Sequence, residues 1–306
     1  MYTRRASAAT AATPMFTPHR TLVGPDTRAP APPPEPAAAA VPPPVPMPLP
    51  PGTPSISVVI PARDEARNLP GVLAELPGGL HEVILVDGDS TDGTIAAARR
   101  ARPGIRVLRQ TGCGKGNALA CGILAATGEI TVTLDADGSA DPAEIAEFAA
   151  ALQAGADFVK GSRYLPGGGS SDLTVLRRAG NGALVRLMNR LYRTAFSDLC
   201  YGYNAFWTRC APALELEAIA AAAPVFGDGF EIETVLAAHA ATARLTVAEV
   251  PSYERDRRYG ESHLHTWRDG RRVLRAILRE RRRAPARPPR TRPARPSAAP
   301  RTVGKP

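Results

Sequence analysis

The sequence predicts an α/β fold, a mostly parallel central sheet with helices on both of its faces. Short β-branched apolar runs alternate with helical patterns between residues 55 and 164. About 44% of the 306 residues are hydrophobic, which is enough for a sizeable core. Polar residues also recur at the points where the apolar runs end. Strands that alternate with helices favour parallel order in a sheet that is covered on both faces.

Five strands are predicted, each from a short apolar run: SISVVIPA (55–62), HEVILVDGDS (81–90), IRVLRQ (105–110), EITVTLDADG (129–138) and ADFVKGSRY (156–164). Four helices are predicted between them: EARNLPGVLAEL (65–76), TDGTIAAARRA (91–101), GKGNALACGILAA (114–126) and DPAEIAEFAAALQAG (141–155). Thr91 or Asp92 is expected to cap the second helix, and Asp141 the fourth, with Pro142 at its first position.

The two ends of the chain differ in composition from its middle. Residues 1–54 hold sixteen of the 32 prolines, and they show no apolar periodicity. Residues 279–306 hold ten basic residues and one acid, so their charge of 10 − 1 = +9 equals the net charge of the chain. We therefore expect a disordered Pro/Ala-rich segment (1–54), a folded domain (55–280) and a disordered Arg/Pro-rich tail (281–306).

Export and membrane insertion are not expected from the sequence. The first 54 residues lack the apolar stretch of a secretory signal, and the chain has no run of about 18 apolar residues. The four cysteines form no C-x-x-C pair. Reduced thiols in a cytoplasmic protein are the expectation.

Polar residues gather where the predicted strands end. They are Arg63, Asp64 and Glu65 after the first strand, Asp87 and Asp89 after the second, Asp135 and Asp137 after the fourth, and Arg163 after the fifth. In a sheet of this kind, ligands bind beyond the carboxyl ends of the strands. Some acids there can simply cap helices, but this is a weak explanation for three neighbouring strand ends. The pattern therefore predicts a binding site at this edge.

Asp135 and Asp137 indicate a divalent metal. Residues i and i+2 of an extended backbone point to the same side, so both carboxylates can face one point. Hard anionic oxygens suit Mg²⁺ or Mn²⁺, which complete their coordination with phosphate and water. Such an ion would also offset the repulsion between the two acids.

In their order along the chain, these stretches resemble the family 2 glycosyltransferases with a GT-A fold. The resemblance is to the branch that makes dolichol-phosphate or polyprenyl-phosphate mannose or glucose. The matching motifs are VVIPARDEARNL (58–69), ILVDGDSTDGT (84–94), GKGNAL (114–119), TLDADG (133–138), KGSRY (160–164), GFEIET (229–234) and RRYGESH (257–263). Gly88 stands where the family usually has an acid, and His263 where it usually has Lys.

The resemblance implies a nucleotide-sugar donor and a role for each matching residue. The residues expected to bind the donor are Pro61, Arg63, Glu65, Asp87, Lys115 and Asp135, with Asp87 on the base or ribose. Asp137, together with Asp135, is expected to hold the metal. Arg163 and Arg257 are expected to hold phosphate groups, with Ser262 beside them. The expected catalytic set is therefore Asp135, Asp137, Arg163 and Arg257.

The expected reaction is transfer of a hexose, from a donor of the GDP-mannose or UDP-glucose type, with inversion at the anomeric centre. A polyprenyl-phosphate acceptor is already an anion and needs no base. A soluble hydroxyl acceptor would need one. Glu231 and Glu233 are the candidate bases, although either can equally be an acid at a helix N-terminus. A non-catalytic nucleotide-sugar-binding or polyanion-binding protein is the remaining alternative.

A membrane surface is the expected partner beyond the substrates. In LVRLMNRLYRTAF (184–196), apolar residues fall at helical spacing with arginines between them. Such a helix, together with the basic tail, can bind an anionic membrane, although packing on the core is the commoner fate. Without interleaved aromatic residues, specific nucleic-acid binding is not expected. The expected location is cytoplasmic and peripheral, on the inner face of the plasma membrane.

Overall fold

A computed structural model describes residues 46–171, 173–223, 226–260 and 266–283. The strands in these ranges are β1 (Ile56–Ala62), β2 (Glu82–Asp87), β3 (Arg106–Arg109), β4 (Ile130–Thr133), β5 (Phe158–Ser162), β6 (Gly169–Ser170), β7 (Asn204–Trp207), β8 (Val247–Pro251) and β9 (Tyr253–Glu254). The α-helices are α1 (Leu69–Glu75), α2 (Thr94–Ala101), α3 (Lys115–Ala125), α4 (Ile145–Gln153), α5 (Val175–Tyr192), α6 (Ile232–Thr242) and α7 (Thr266–Arg283). Two 3₁₀ helices span Pro142–Glu144 and Thr208–Leu214.

The central sheet has seven strands in the order β3-β2-β1-β4-β7-β5-β8. All neighbouring pairs are parallel except those of β7, which runs antiparallel to both β4 and β5. The predicted mostly parallel sheet is therefore confirmed. β6 and β9 form a separate parallel pair.

The register aligns the carboxyl ends of the first three strands. Ala62 pairs with Asp87, and Asp87 pairs with Arg109. The residues that follow these strands therefore lie side by side at one edge of the sheet, which is where the sequence predicted a binding site.

Helices cover both faces of the sheet. Along β1, Val58 and Ile60 belong to one buried cluster and Val59 to another, because successive side chains of a strand point to opposite faces. The first of these clusters also contains residues of α1, α2 and α4. The second contains residues of α3, α5, α6 and α7. The predicted two-sided covering is thus confirmed.

The predicted boundary of the N-terminal segment needs a correction. Residues 46–54 lie within the described ranges, and there the Leu49 N–H donates to the Gly78 carbonyl at 3.1 Å. The Leu49 side chain packs against the cluster that holds α1 and α4. Disorder predicted for residues 1–54 is therefore wrong for its last residues. Residues 1–45 and 284–306 lie outside the described ranges.

The basic amphipathic stretch forms the second half of α5, and its apolar side faces the core. Met188 is fully buried, and Leu184, Leu187 and Leu191 pack against the cluster that holds α6 and α7. The alternative of core packing is therefore the one observed for this face. In the part of the chain that the structure describes, no helix is both long and apolar enough to cross a bilayer.

Candidate active site

Two adjoining clefts lie at the carboxyl edge of the sheet. The strand-end cleft has a volume of about 460 Å³ and is bordered by residues 61–65, Gly88, Gln110, Gly114 and Ala118. The helix cleft has a volume of about 430 Å³ and lies against the N-terminal parts of α5 and α7. The two clefts share five lining residues: Lys115, Asp135, Asp137, Phe230 and Arg257. A molecule in one cleft would meet a molecule in the other at this shared wall.

Asp135 is paired with the first residue of α3. The Lys115 ammonium lies 2.7 Å from the Asp135 carboxylate and 3.2 Å from that of Glu233. Asn204 donates to the other Glu233 oxygen at 2.7 Å. Burial opposes the charge on Lys115, but the two carboxylates outweigh it and raise the pKa of the amine. Lys115 is therefore a fixed positive charge between the clefts.

Asp137 is paired with the predicted phosphate-binding arginine. Its Oδ2 lies 2.9 Å from Arg257 Nη2, and its Oδ1 accepts from the Ser139 N–H at 2.9 Å. β4 ends at Thr133, so both aspartates lie in the loop beyond the strand rather than on it. Each lines both clefts, as expected for two carboxylates that serve one site.

Three of the predicted donor-binding residues line the strand-end cleft: Pro61, Arg63 and Glu65. Burial raises the pKa of the Glu65 carboxyl, and the nearby Asp137 adds to the effect. Asp87 is different, because it is only 1% exposed and does not line the cleft. Its Oδ1 has no hydrogen-bond partner among the described residues.

Arg163 is held by two carboxylates that the sequence did not reveal. Its Nε and Nη2 contact the two oxygens of Asp198 at 2.7 and 3.0 Å, and its Nη1 contacts Glu254 at 2.9 Å. The Arg163 side chain is 9% exposed and Asp198 is fully buried. Arg163 does line the helix cleft, but all three of its nitrogens already have partners. Phosphate binding by Arg163 therefore stays a prediction.

The structure separates the two candidate bases. Glu231 is fully buried, accepts from the Gly227 N–H at 3.1 Å and contacts Arg272 of α7 at 2.9 Å. It lines neither cleft and lies at the N-cap of α6, so this geometry favours the alternative of an acid at a helix N-terminus. Glu233 lines the helix cleft and is tied to Lys115. Ser262 and His263 lie outside the described residues.

The chemistry of Asp135 and Asp137 fits a divalent metal that is bound together with a diphosphate. Among the described residues there is no cluster of three or more acidic, His or Cys side chains that could hold an ion alone. Two carboxylates are few for a structural site, but Mg²⁺ and Mn²⁺ often take one or two and complete their coordination with phosphate and water.

Comparison with known proteins gives relatives of one kind. An uncharacterized glycosyltransferase of Mycobacterium tuberculosis is 41% identical over 109 residues, 36% of this chain and 49% of that protein. The chain therefore matches about half the length of this relative. The polyprenol monophosphomannose synthase of Mycolicibacterium smegmatis is 30% identical over 68% of this chain and 80% of its own length.

Solved structures and a family model agree with these relatives. The glucosyl-3-phosphoglycerate synthase of M. tuberculosis superposes with a TM-score of 0.56 at 24% identity, over 74% of this chain and 80% of that one. This likeness confirms the expected fold. Residues 57–211 match the family model described as glycosyl transferase family 2. The chain therefore belongs to glycosyl transferase family 2.

Proposed function

We propose that this enzyme moves a hexose from a nucleotide-diphosphate sugar to a polyprenyl phosphate, with inversion at the anomeric carbon. The observation that carries the proposal is the shared wall between the two clefts, where Lys115, Asp135, Asp137 and Arg257 meet. The similarity to a polyprenol monophosphomannose synthase supports the acceptor class. In this arrangement the strand-end cleft takes the donor and the helix cleft takes the acceptor.

The donor side would hold the nucleotide diphosphate against Asp135 and Asp137. When bound there, Mg²⁺ or Mn²⁺ stabilises the negative charge that develops on the leaving diphosphate. The similar glucosyl-3-phosphoglycerate synthase has been solved with Mn²⁺ and UDP, and also with Mg²⁺ and UDP. In this chain, Lys115 and Arg257 supply fixed positive charges at the same place, which act without reorganisation during the reaction.

The acceptor side favours a nucleophile that needs no base. Both oxygens of Glu233 are engaged, one by Lys115 at 3.2 Å and the other by Asn204 at 2.7 Å. To take a proton from a hydroxyl, this carboxylate would have to leave those contacts, whereas a phosphate monoester dianion has no proton to give up. The helix cleft is also lined by Leu173, Leu184 and Val273, which suit the apolar start of a prenyl chain.

A soluble phosphorylated acceptor with a hydroxyl nucleophile is the second candidate. Arg177 and Arg255 also line the helix cleft and could bind a small anion. The similar fold of glucosyl-3-phosphoglycerate synthase agrees with this alternative.

A transfer assay separates the two candidates. GDP-mannose and UDP-glucose are each offered with a short polyprenyl phosphate or with 3-phosphoglycerate, in the presence of Mn²⁺. We expect product only with the lipid phosphate, and only a several-fold loss of rate in Glu233→Gln. Product with phosphoglycerate alone, or a loss of about 10²–10⁴-fold in Glu233→Gln, would instead support the hydroxyl acceptor.

We also propose an anionic membrane surface as the partner, now through α7. Its outward face carries the exposed residues Arg271, Leu274, Arg275, Leu278 and Arg282. Arginines that flank leucines on one helical face suit the interface of a bilayer that contains acidic lipids. The first turn of α5 adds exposed Val175 and Leu176. This placement would put the enzyme peripherally on the inner face of the plasma membrane.

Vesicle sedimentation tests the membrane proposal. We expect binding to vesicles that contain phosphatidylglycerol, weaker binding to pure phosphatidylcholine, and a loss of binding in Leu274→Ser/Leu278→Ser. The matched control is Leu124→Ser, because Leu124 on α3 is 42% exposed, much like Leu274 and Leu278. Equal binding by both variants would contradict the role of α7.

A further inference from the structure

Gln110 lines the strand-end cleft and follows the edge strand of the sheet, whereas the aspartates of the shared wall follow β4, three places further along the strand order. It follows β3, the edge strand, and its N–H donates to the Asp87 carbonyl at 3.1 Å. Gly88, which follows β2, lines the same part of the cleft. Asp135 and Asp137 follow β4, on the other side of β1. With the diphosphate at the aspartates, the base of the donor would reach Gly88 and Gln110.

The orientation of the Gln110 amide is fixed. Its Nε2 donates to the Gly112 carbonyl at 3.0 Å, so Oε1 must be the other end of the group. The Gly112 N–H is in turn held by Asn117 Oδ1 at 2.9 Å. Asn117 is buried and its Nδ2 donates to the Ile219 carbonyl at 2.7 Å. The turn that carries Gly112 is therefore anchored, and the amide cannot flip without losing its donor contact.

Gln110 Oε1 lies beside Gly88 in the cleft. A Cβ at position 88 would lie 3.6 Å from this oxygen, which is ordinary van der Waals contact. Among the described residues, none donates a hydrogen bond to Gln110 Oε1. The strand-end cleft thus presents a neutral hydrogen-bond acceptor in a fixed orientation.

We propose that Gln110 selects the base of the donor by accepting a hydrogen bond from a ring N–H. Uracil and guanine carry such an N–H, whereas cytosine and adenine have a lone pair at the corresponding ring nitrogen. A lone pair facing Oε1 would oppose two acceptors, and the neighbouring amino group of cytosine or adenine could donate to this fixed oxygen only if the base shifted in the cleft. The donor class is therefore a uridine or guanosine diphosphate sugar. This inference rests on the proposed donor site in the strand-end cleft.

Calorimetric titration of UDP, GDP, CDP and ADP, each with Mn²⁺, tests the proposal without any transfer step. We expect UDP or GDP to bind at least about tenfold more tightly than CDP and ADP, and the comparison of UDP with GDP identifies the base. Gln110→Met keeps the length of the side chain but removes the acceptor. It should weaken the preferred nucleotide roughly three- to tenfold and leave CDP and ADP unchanged.

Arg63→Met is the matched control in the same cleft. Arg63 is highly exposed, so this change should affect all four nucleotides by a similar factor. A uniform loss in Gln110→Met, or similar affinities of the wild-type enzyme for all four nucleotides, would overturn the role of Gln110 while the proposed function stands. If none of the four nucleotides bound, the donor site itself would be wrong and both proposals would fall.

Discussion

Arg257 and Asp137 form an ion pair across the shared wall, with 2.9 Å between Nη2 and Oδ2. The backbone supports the same contact, since the Arg258 N–H donates to the Asp137 carbonyl at 3.3 Å and the Arg255 N–H to the Ser139 carbonyl at 2.7 Å. The loop after β4 and residues 255–258, which follow β9, are therefore joined by these contacts. A change in one of them is expected to alter the other.

The first prediction concerns the metal. Asp137→Ala removes a proposed metal ligand and should lower the transfer rate by at least about a hundredfold, which is the usual effect of losing one stabilising group at a developing charge. The fold should persist, because Asp137 lies in a loop beyond the strand end. The measurements are transfer as a function of Mn²⁺ concentration and thermal unfolding. Wild-type activity with the same dependence on Mn²⁺ would refute the assignment.

The sequence predicted the features of this site that depend on local patterns. The first five predicted strands were found, because each is an apolar run between turn residues. Asp135 and Asp137 could be linked to each other because they are two residues apart and follow a strand. β7 was not predicted, because its antiparallel place between β4 and β5 depends on pairing with segments that are distant in the sequence.

Pairs that are far apart in the sequence could not be predicted. Asp198 holds Arg163 from 35 positions away, and Arg272 holds Glu231 from 41 positions away. The contact with Arg272 of α7 explains why Glu231 faces α7, while Glu233 lines the helix cleft. The acid in the mostly apolar FSDLCYGY stretch (196–203) was the one sign that a buried cation would be needed nearby.

The second prediction concerns the N-terminus. Deletion of residues 1–45 should leave the melting temperature almost unchanged, as the composition of that segment predicts. Deletion of residues 1–53 also removes Leu49, which packs on the core. This deletion should lower the melting temperature by roughly 2–4 °C, for a loss of about 1 kcal/mol of unfolding free energy. Thermal unfolding of both truncations is the measurement. Equal melting temperatures would show that Leu49 contributes nothing.

The third prediction concerns the pH dependence of stability. Both ring nitrogens of His239 face acceptors, the Leu214 carbonyl at 2.5 Å and Glu280 at 3.2 Å. Burial opposes the charged ring, but these contacts outweigh it and raise the pKa of His239. Its stabilising contribution is therefore full below the unfolded-state pKa of about 6.5 and is lost as the pH rises through the higher folded-state pKa.

Urea unfolding between about pH 5.5 and 8.5 measures this contribution against a His239→Gln variant. The difference in unfolding free energy between the two proteins should be largest at the acidic end and should shrink as the pH rises. A difference that is constant over this range would mean that the pKa of His239 is the same in the folded and the unfolded protein.

The last prediction separates two arginines that the sequence placed in one role. Arg163 neutralises Asp198, which is fully buried, whereas the Arg257 side chain is 27% exposed and its partner lines both clefts. Arg163→Met should therefore cost about 3–5 kcal/mol of unfolding free energy, because it leaves a buried charge without a partner. Arg257→Met should cost less unfolding free energy than Arg163→Met, because Arg257 is the more exposed of the two, and yet abolish most transfer, because the lost charge lies where donor and acceptor phosphates would meet. Denaturant unfolding and transfer are measured on both variants, with Arg257→Lys as the control that keeps the charge but loses the planar fork. Suppose that Arg163→Met kept the unfolding free energy of the wild type and lost only activity. The main role of Arg163 would then be to bind phosphate, and its contacts with Asp198 and Glu254 would have to open when substrate binds.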